Sequence, residues 1–212
     1  SEQVPHLFTP TGFLGDDWYV RNYWVFGTDT GAGWGGWART QGGTQVPAGR
    51  IMSFDSQRVV GYGREKRVAG AVGHRGNSFH LWAMDMRTAQ EKAPTPKEKR
   101  RGKGKAKDMT YLWSKKIDMI ARAMIQTPGQ MVLAGIPDLA KRNSNELAFD
   151  NADEVQAAYS GSKGGIIRFV NTTDGTQTGE IKLGTRPVFD GLAAAHGKLF
   201  IALKDGRLQC LK

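Results

Sequence analysis

The sequence predicts an all-β fold of short antiparallel strands. Aromatic and β-branched residues come in short runs, and Gly, Asp, Asn and Thr separate them. The 212-residue chain holds 28 glycines and six tryptophans. Helical periodicity is scarce. Short apolar runs bounded by turn formers are what strands joined by tight turns look like. The exception is a stretch from about Asn143 to Ala158, rich in Asn, Glu and Ala. It reads as a short helix within a long insertion at 139–163.

The elements follow in order. Trp18 to Phe26 is a strand candidate with bulky aromatics throughout. The GAGWGGW segment after it invites comparison with phosphate-cradling loops. No Lys follows at the required spacing and no strand-to-helix context is present, so it reads as a Gly-rich loop. Between Arg50 and Arg64, two short strands flank the turn Asp55-Ser56-Gln57. SFHLWAMDMRT (78–88) is a strand ending in a polar turn, and MTYLWSKKI (109–117) is another. RAMIQTPGQMVLAG (122–135) forms two strands around Pro128-Gly129, a turn dipeptide. Residues 164–183 and 191–212 each read as a hairpin. Their turns are Thr173-Asp174-Gly175 and Asp205-Gly206, the second a two-residue hairpin signal. Asp190-Gly191 reads as a further turn.

These strands repeat. IMSFD (51–55), LWAMD (81–85), IIRFVN (166–171) and LQCLK (208–212) share one alternating pattern. Aligning LWAMD, IRFVN and LQCLK gives offsets of 86 and 41 residues, the first close to twice the second. A second phase recurs in GQMVLAGIPD (129–138) and GKLFIALKDG (197–206), each entered from a Gly turn and left through an Asp. A period of roughly 40–45 residues is that of a four-stranded propeller blade. The expected architecture is therefore a β-propeller of four-stranded antiparallel blades, with three to four of them in residues 1–212. Propellers close with about 4–8 blades, so the chain is expected to complete a larger ring.

The pieces GKLFIALKDGRLQCLK and IIRFVNTTDGTQTGEIKL resemble repeats of the PQQ-like (quinoprotein alcohol dehydrogenase-like) β-propeller family. There a strand runs into Asp-Gly, then Leu-x-Cys/Ala-Leu, then a Thr-Gly turn, here Thr178-Gly179-Glu180. RPVFDGLAAAHGKLFIALKDGRLQCLK is similar to the last blade of large secreted bacterial propellers. DDWYVRNYWVFG and PAGRIMSFDSQRVVGYGR are similar to that group too. The resemblance implies the C-terminal part of such a protein, secreted or periplasmic and envelope-associated. The opening SEQVPHLFTPTGF, without an initiator Met, fits the interior of a longer chain or a processed product. Most members with these repeats bind no quinone and act in scaffolding, assembly or ligand binding. The dehydrogenases carry an adjacent-cysteine disulfide over the quinone and a carboxylate-based calcium site. Cys210 is the single cysteine, so this chain cannot make that disulfide by itself.

Charge is localised. The net charge is +10, and KEKRRGKGKAK (97–107) supplies +6 of it. This Pro- and Gly-flanked run sits in an expected inserted loop, 89–108. Lys99, Arg100, Arg101 and Lys103 are candidate contacts for an anionic polymer or protein partner. No aromatics interleave them, which argues against nucleic acid. No apolar run approaches the roughly 18 residues a membrane helix needs.

No residue set makes this chain an enzyme by itself. His6, His74, His80 and His196 form no HxH or HxxxH pair, and no Cys cluster accompanies them. His80 reads as a packed or hydrogen-bonded strand residue and His196 as an exposed turn residue. Asp16-Asp17 point to opposite faces if extended, a poor acid/base pair. Cys210 reads as a small buried apolar residue. Trp18, Trp24, Trp34 and Trp37 are candidates for stacking on a ligand, weighed against packing between blades. The expected function is a non-catalytic scaffold or binding module with a protein partner or the remaining propeller half. No cofactor is expected. The alternative is part of a PQQ-dependent oxidoreductase, with quinone and calcium held by sequence outside this chain.

Overall fold

A computed structural model describes residues 6–8, 24–27, 48–67, 74–87, 110–141 and 149–212. The fold is all-β, with antiparallel sheets of three and four strands. The strands are β1 (His6–Phe8), β2 (Trp24–Gly27), β3 (Ala48–Gly49), β4 (Ile51–Phe54), β5 (Arg58–Arg67), β6 (His74–Asp85) and β7 (Trp113–Ile117). They continue as β8 (Met119–Thr127), β9 (Gln130–Pro137), β10 (Gly165–Asn171), β11 (Gln177–Leu183), β12 (Pro187–Ala195), β13 (Lys198–Leu203) and β14 (Leu208–Leu211). One helix among the described residues, α1 (Ala152–Ser160), lies between β9 and β10.

Each sheet is built from strands consecutive in sequence: β1-β2-β3, β4-β5-β6-β7, β8-β9-β10-β11 and β12-β13-β14. The sequence repeat follows this order. LWAMD, IIRFVN and LQCLK lie in β6, β10 and β14, the third strand of their sheets. GQMVLAGIPD and GKLFIALKDG contain β9 and β13, the second strands. IMSFD departs from the phase, because β4 opens its sheet rather than standing third.

Strands leave through Asp for a local reason. An Asp carboxylate can accept the backbone N–H two residues on and close the turn itself. Asp55 does so for Gln57 at 2.7 Å, Asp85 for Arg87 at 2.9 Å, Asp174 for Thr176 at 2.9 Å and Asp205 for Arg207 at 3.2 Å. These bonds favour the charged form. The Thr176 N–H holds the Asp174 carboxyl below its ordinary range, and Arg207 does the same for Asp205. Pro128-Gly129 joins β8 to β9 through a tight turn, with Gly129 at φ 78°.

Two readings of the last fifty residues need correction. The Asp205-Gly206 turn is one residue longer than a two-residue loop. The Leu203 N–H donates to Arg207 O at 2.9 Å and the Gly206 N–H to Leu203 O at 3.1 Å, with Gly206 at φ 86°. That is a three-residue loop closed by a left-handed Gly. Asp190-Gly191 is not a turn but an irregularity inside β12, between Pro187 and Leu192, with Asp190 at φ 53°. Residues 187–212 therefore form three strands. The first hairpin turns at His196-Gly197, both at positive φ, the backbone of a type I′ turn.

The chain divides into two compact units. The first holds β1 to β5 and most of β6; the second holds Lys115–Lys212 with Asn77–Phe79. The first unit is built around Trp82, clustered with Phe26, Val59, Met84 and Met86. Its indole meets Tyr111 at 5.4 Å between centroids. Burial removes water from the Tyr111 phenol, pushing its pKa up to about 12. His80 is buried in β6, and its Nδ1 lies 2.9 Å from Ser114 Oγ.

In the second unit, sheet β8–β11 packs on sheet β12–β14. Ala123, Val132, Ala134 and Ile167 from the first sheet meet Leu192, Ile201 and Leu203 from the second. Burying each large aliphatic side chain here contributes about 1.5–3 kcal/mol. An irregularity in β8 between Ala121 and Ala123 brackets Arg122, which is buried. Its Nε donates to Pro187 O at 2.8 Å, tying the two sheets together. A bulge re-aims one side chain out of the alternation.

Candidate functional site

The inter-sheet space of the second unit opens at one end into a cleft of about 530 Å3. Its position follows from the turns. The β8–β9 turn brings Thr127 and Gln130 to one lip, and the β12–β13 turn brings His196 and Gly197 to the other. Between the lips the alternation of each strand aims Val132, Phe169, Ile181, Leu199 and Leu211 inward. Phe169, Ile181, Leu199 and Leu211 extend the sandwich core but are only partly buried. Lys198 and Lys212 complete the rim, and among the described residues no Asp or Glu side chain lines the cleft.

The lip on the β8 side is fixed. Thr127 Oγ1 donates to Gln130 O at 3.0 Å, and Gln130 Nε2 donates to Thr178 Oγ1 at 3.2 Å. The N–H of buried Thr172 donates to Gly129 O at 3.2 Å, gripping the turn from the next loop. This is an apolar cleft with a basic, hydrogen-bonding rim. Its size is that of small-ligand or side-chain pockets.

Beside the cleft, β14 is the outermost strand of its sheet and pairs only with β13 among the described residues. Leu208 is 69% exposed, and Cys210 is exposed rather than buried as its apolar setting suggested. The reason is parity. Gln209 and Leu211 share a face with Ile201 and Leu199, toward the other sheet. Leu208 and Cys210 share the opposite face with Ala202 and Phe200. Leu208 and Cys210 take their exposure from that second face.

Elsewhere in the second unit, Arg168 is held on both sides. Its Nη1 donates to the Asp118 carboxylate and its Nε to Glu180 Oε2, the latter at 3.0 Å. The Arg168 hydrogen bond holds the Asp118 carboxyl below its ordinary range. This arrangement locks β10 to β11 and to the loop before β8; it is not aimed at the cleft lining.

Of the candidate contacts read from sequence, Trp24 stands in β2, half-buried and paired with Gly49. Trp18, Trp34, Trp37, Lys99, Arg100, Arg101 and Lys103 lie outside the described residues, as do Asp16-Asp17 and the 89–108 loop. The cleft residues were missed by sequence reasoning because seven separate strands supply them. Among the described residues, no group of three His, Cys, Asp or Glu side chains could hold a metal ion, and no helix is long and apolar enough to cross a membrane.

Compared with protein-family models and with curated proteins, the chain matches none. The class of protein is thus set by fold and site alone. It is an all-β chain of sequence-consecutive antiparallel sheets, carrying an apolar cleft in its second unit.

Proposed function

We propose that this chain is a non-catalytic binding or assembly module. In this reading it is made of PQQ-like β-propeller blades and contributes to a larger ring in a secreted or envelope-associated bacterial assembly. One observation carries the reading. β4–β7 and β8–β11 are four-strand sheets of sequence-consecutive strands with LWAMD and IIRFVN third, and LQCLK again stands third in β12–β14, as in repeated blades. Blades bury their faces by stacking side by side, so repeated blades favour further blades or a partner as neighbours.

The test is the mass of the native assembly recovered from the source cells under non-denaturing conditions. An assembly heavier than one chain, containing a second polypeptide, supports the module reading. A lone monomer at native concentration refutes it.

A further inference from the structure

The cleft of the second unit has an apolar wall and a polar mouth. Val132, Phe169, Ile181 and Leu199 form the wall, and the last three are only partly buried by the core beside them. Thr127 and Gln130 stand on one lip, and His196 and Lys198 on the other. The wall and both lips lie within residues 127–199; Leu211 and Lys212 only add to them. The hairpins that carry the lips, β8–β9 and β12–β13, are paired up to their turns.

The two lips differ in what they offer. The Thr127 hydroxyl donates to Gln130 O, and Gln130 Nε2 donates to Thr178 Oγ1. Those bonds turn donors of this lip back onto the protein. His196 and Lys198 are exposed, and they bring an imidazole and an ammonium to the opposite lip. The turn alone does not call for His196. With Gly197 it forms the centre of a type I′ turn, at φ 51° and 70°, where Asn-Gly is the favoured pair. An imidazole adds nothing to that turn that an amide would not, yet it lines the cleft. Positive charge and N–H donors beside an apolar wall match an anion on an apolar body.

We infer that the cleft binds a small amphiphilic carboxylate, with its apolar body against Phe169, Ile181 and Leu199 and its head at His196 and Lys198. The cleft volume of about 530 Å3 accommodates such a molecule. This binding belongs to the second unit and does not depend on assembly into a ring.

The test is titration of the full chain with butanoate, hexanoate and octanoate, and with octanol, followed by backbone amide chemical shifts. Shifts move at residues 130–132 and 194–199, and each added pair of methylenes tightens binding about tenfold. Octanol, which lacks the charge, binds about tenfold more weakly than octanoate. His196→Asn suits the turn, so the chain melts as the parent does while octanoate binding falls about fivefold or more. Lys198→Gln acts in the same direction. Ala194→Trp fills the cleft from an exposed position on β12 and removes binding of every probe. Equal binding of octanol and octanoate, or no gain with chain length, overturns the inference. So does octanoate binding that His196→Asn and Lys198→Gln together leave unchanged. A lone monomer from source cells that still binds octanoate removes the assembly reading and leaves this one standing.

Discussion

Replacing Gly61 by Ala probes how tightly the first unit is packed. A methyl group there would lie 2.1 Å from Cζ2 of Trp82, 2.5 Å from Cε2 and 2.9 Å from Cη2. Ordinary contact starts at 3.4 Å, so the indole must withdraw by about 1.3 Å. It has little room to do so. Trp82 is 1% exposed, packed among Phe26, Val59, Met84 and Met86, with the Tyr111 ring beside it. Overpacking a core costs about 1–3 kcal/mol, and a rigid ring with no exposed side belongs to the upper half of that range. The expected loss is about 2–3 kcal/mol, roughly a 30- to 140-fold shift toward the unfolded state. Because the chain has two units, the readout is hydrogen exchange at β5 and β6 amides alongside urea unfolding. Trp82→Phe supplies a smaller ring, so the double variant recovers at least about 1 kcal/mol relative to additivity. A Gly61→Ala variant within about 0.5 kcal/mol of the parent, or strict additivity with Trp82→Phe, refutes the reasoning.

Three further outcomes are expected. Ile201→Ala, at a fully buried position between the sheets of the second unit, loses about 2–5 kcal/mol in urea unfolding followed by circular dichroism. Asp118→Asn costs at most about 1 kcal/mol at neutral pH, since the Asp118 side chain is 76% exposed. Its carboxyl is lowered in the folded state, so the Arg168 pair stabilises above the ordinary carboxylate range and is lost as pH falls through the lowered value. Stability curves of parent and Asp118→Asn should therefore converge in acid, and a constant gap would contradict the ion pair. Gly206 has φ 86° and open space where a side chain would stand, so only its backbone conformation is at stake. Gly206→Val should cost about 1–2 kcal/mol and Gly206→Asn clearly less, by thermal melts. Equal costs would argue against the left-handed turn.

Local chemistry made most strands readable. The turns at Asp55-Ser56-Gln57, Pro128-Gly129 and Thr173-Asp174-Gly175 separate the strands expected there, because Asp, Pro and Gly act on their own backbone. Asp190-Gly191 looked the same and behaves otherwise. A Cβ at Gly191 would meet Val188 and the Ala202 carbonyl, so pairing with β13 shapes this segment, which no window of sequence displays. Cys210 misled for a related reason. An alternating strand names two faces but not which of them finds a neighbour. The cleft was illegible because Val132, Phe169, Ile181, Leu199 and Leu211 converge only after two sheets have packed.

The segment between β9 and β10 bears on how the second unit assembles. β8 meets β9 across two residues, but β9 meets β10 across 27, from Asp138 to Gly164. Loop-closure entropy makes the second meeting costlier by about 2 kcal/mol if the segment is a free coil. Asn151 shortens it. The Lys141 N–H donates to its side-chain oxygen at 2.9 Å, and its amide donates to Leu139 O at 2.9 Å and Glu154 Oε2 at 2.8 Å. The Asp150 N–H adds a bond to Lys141 O at 2.9 Å. Beyond this clasp, α1 ends in a left-handed Gly161, whose N–H and that of Ser162 cap Ala158 O and Ala157 O at 3.0 and 3.1 Å. The excursion is thereby clasped at Lys141, and its helix has a defined stop. The bonds of Asn151 and Asp150 hold Lys141 and Leu139 close to the start of α1, so fewer residues separate β9 from β10 as the chain must close on itself.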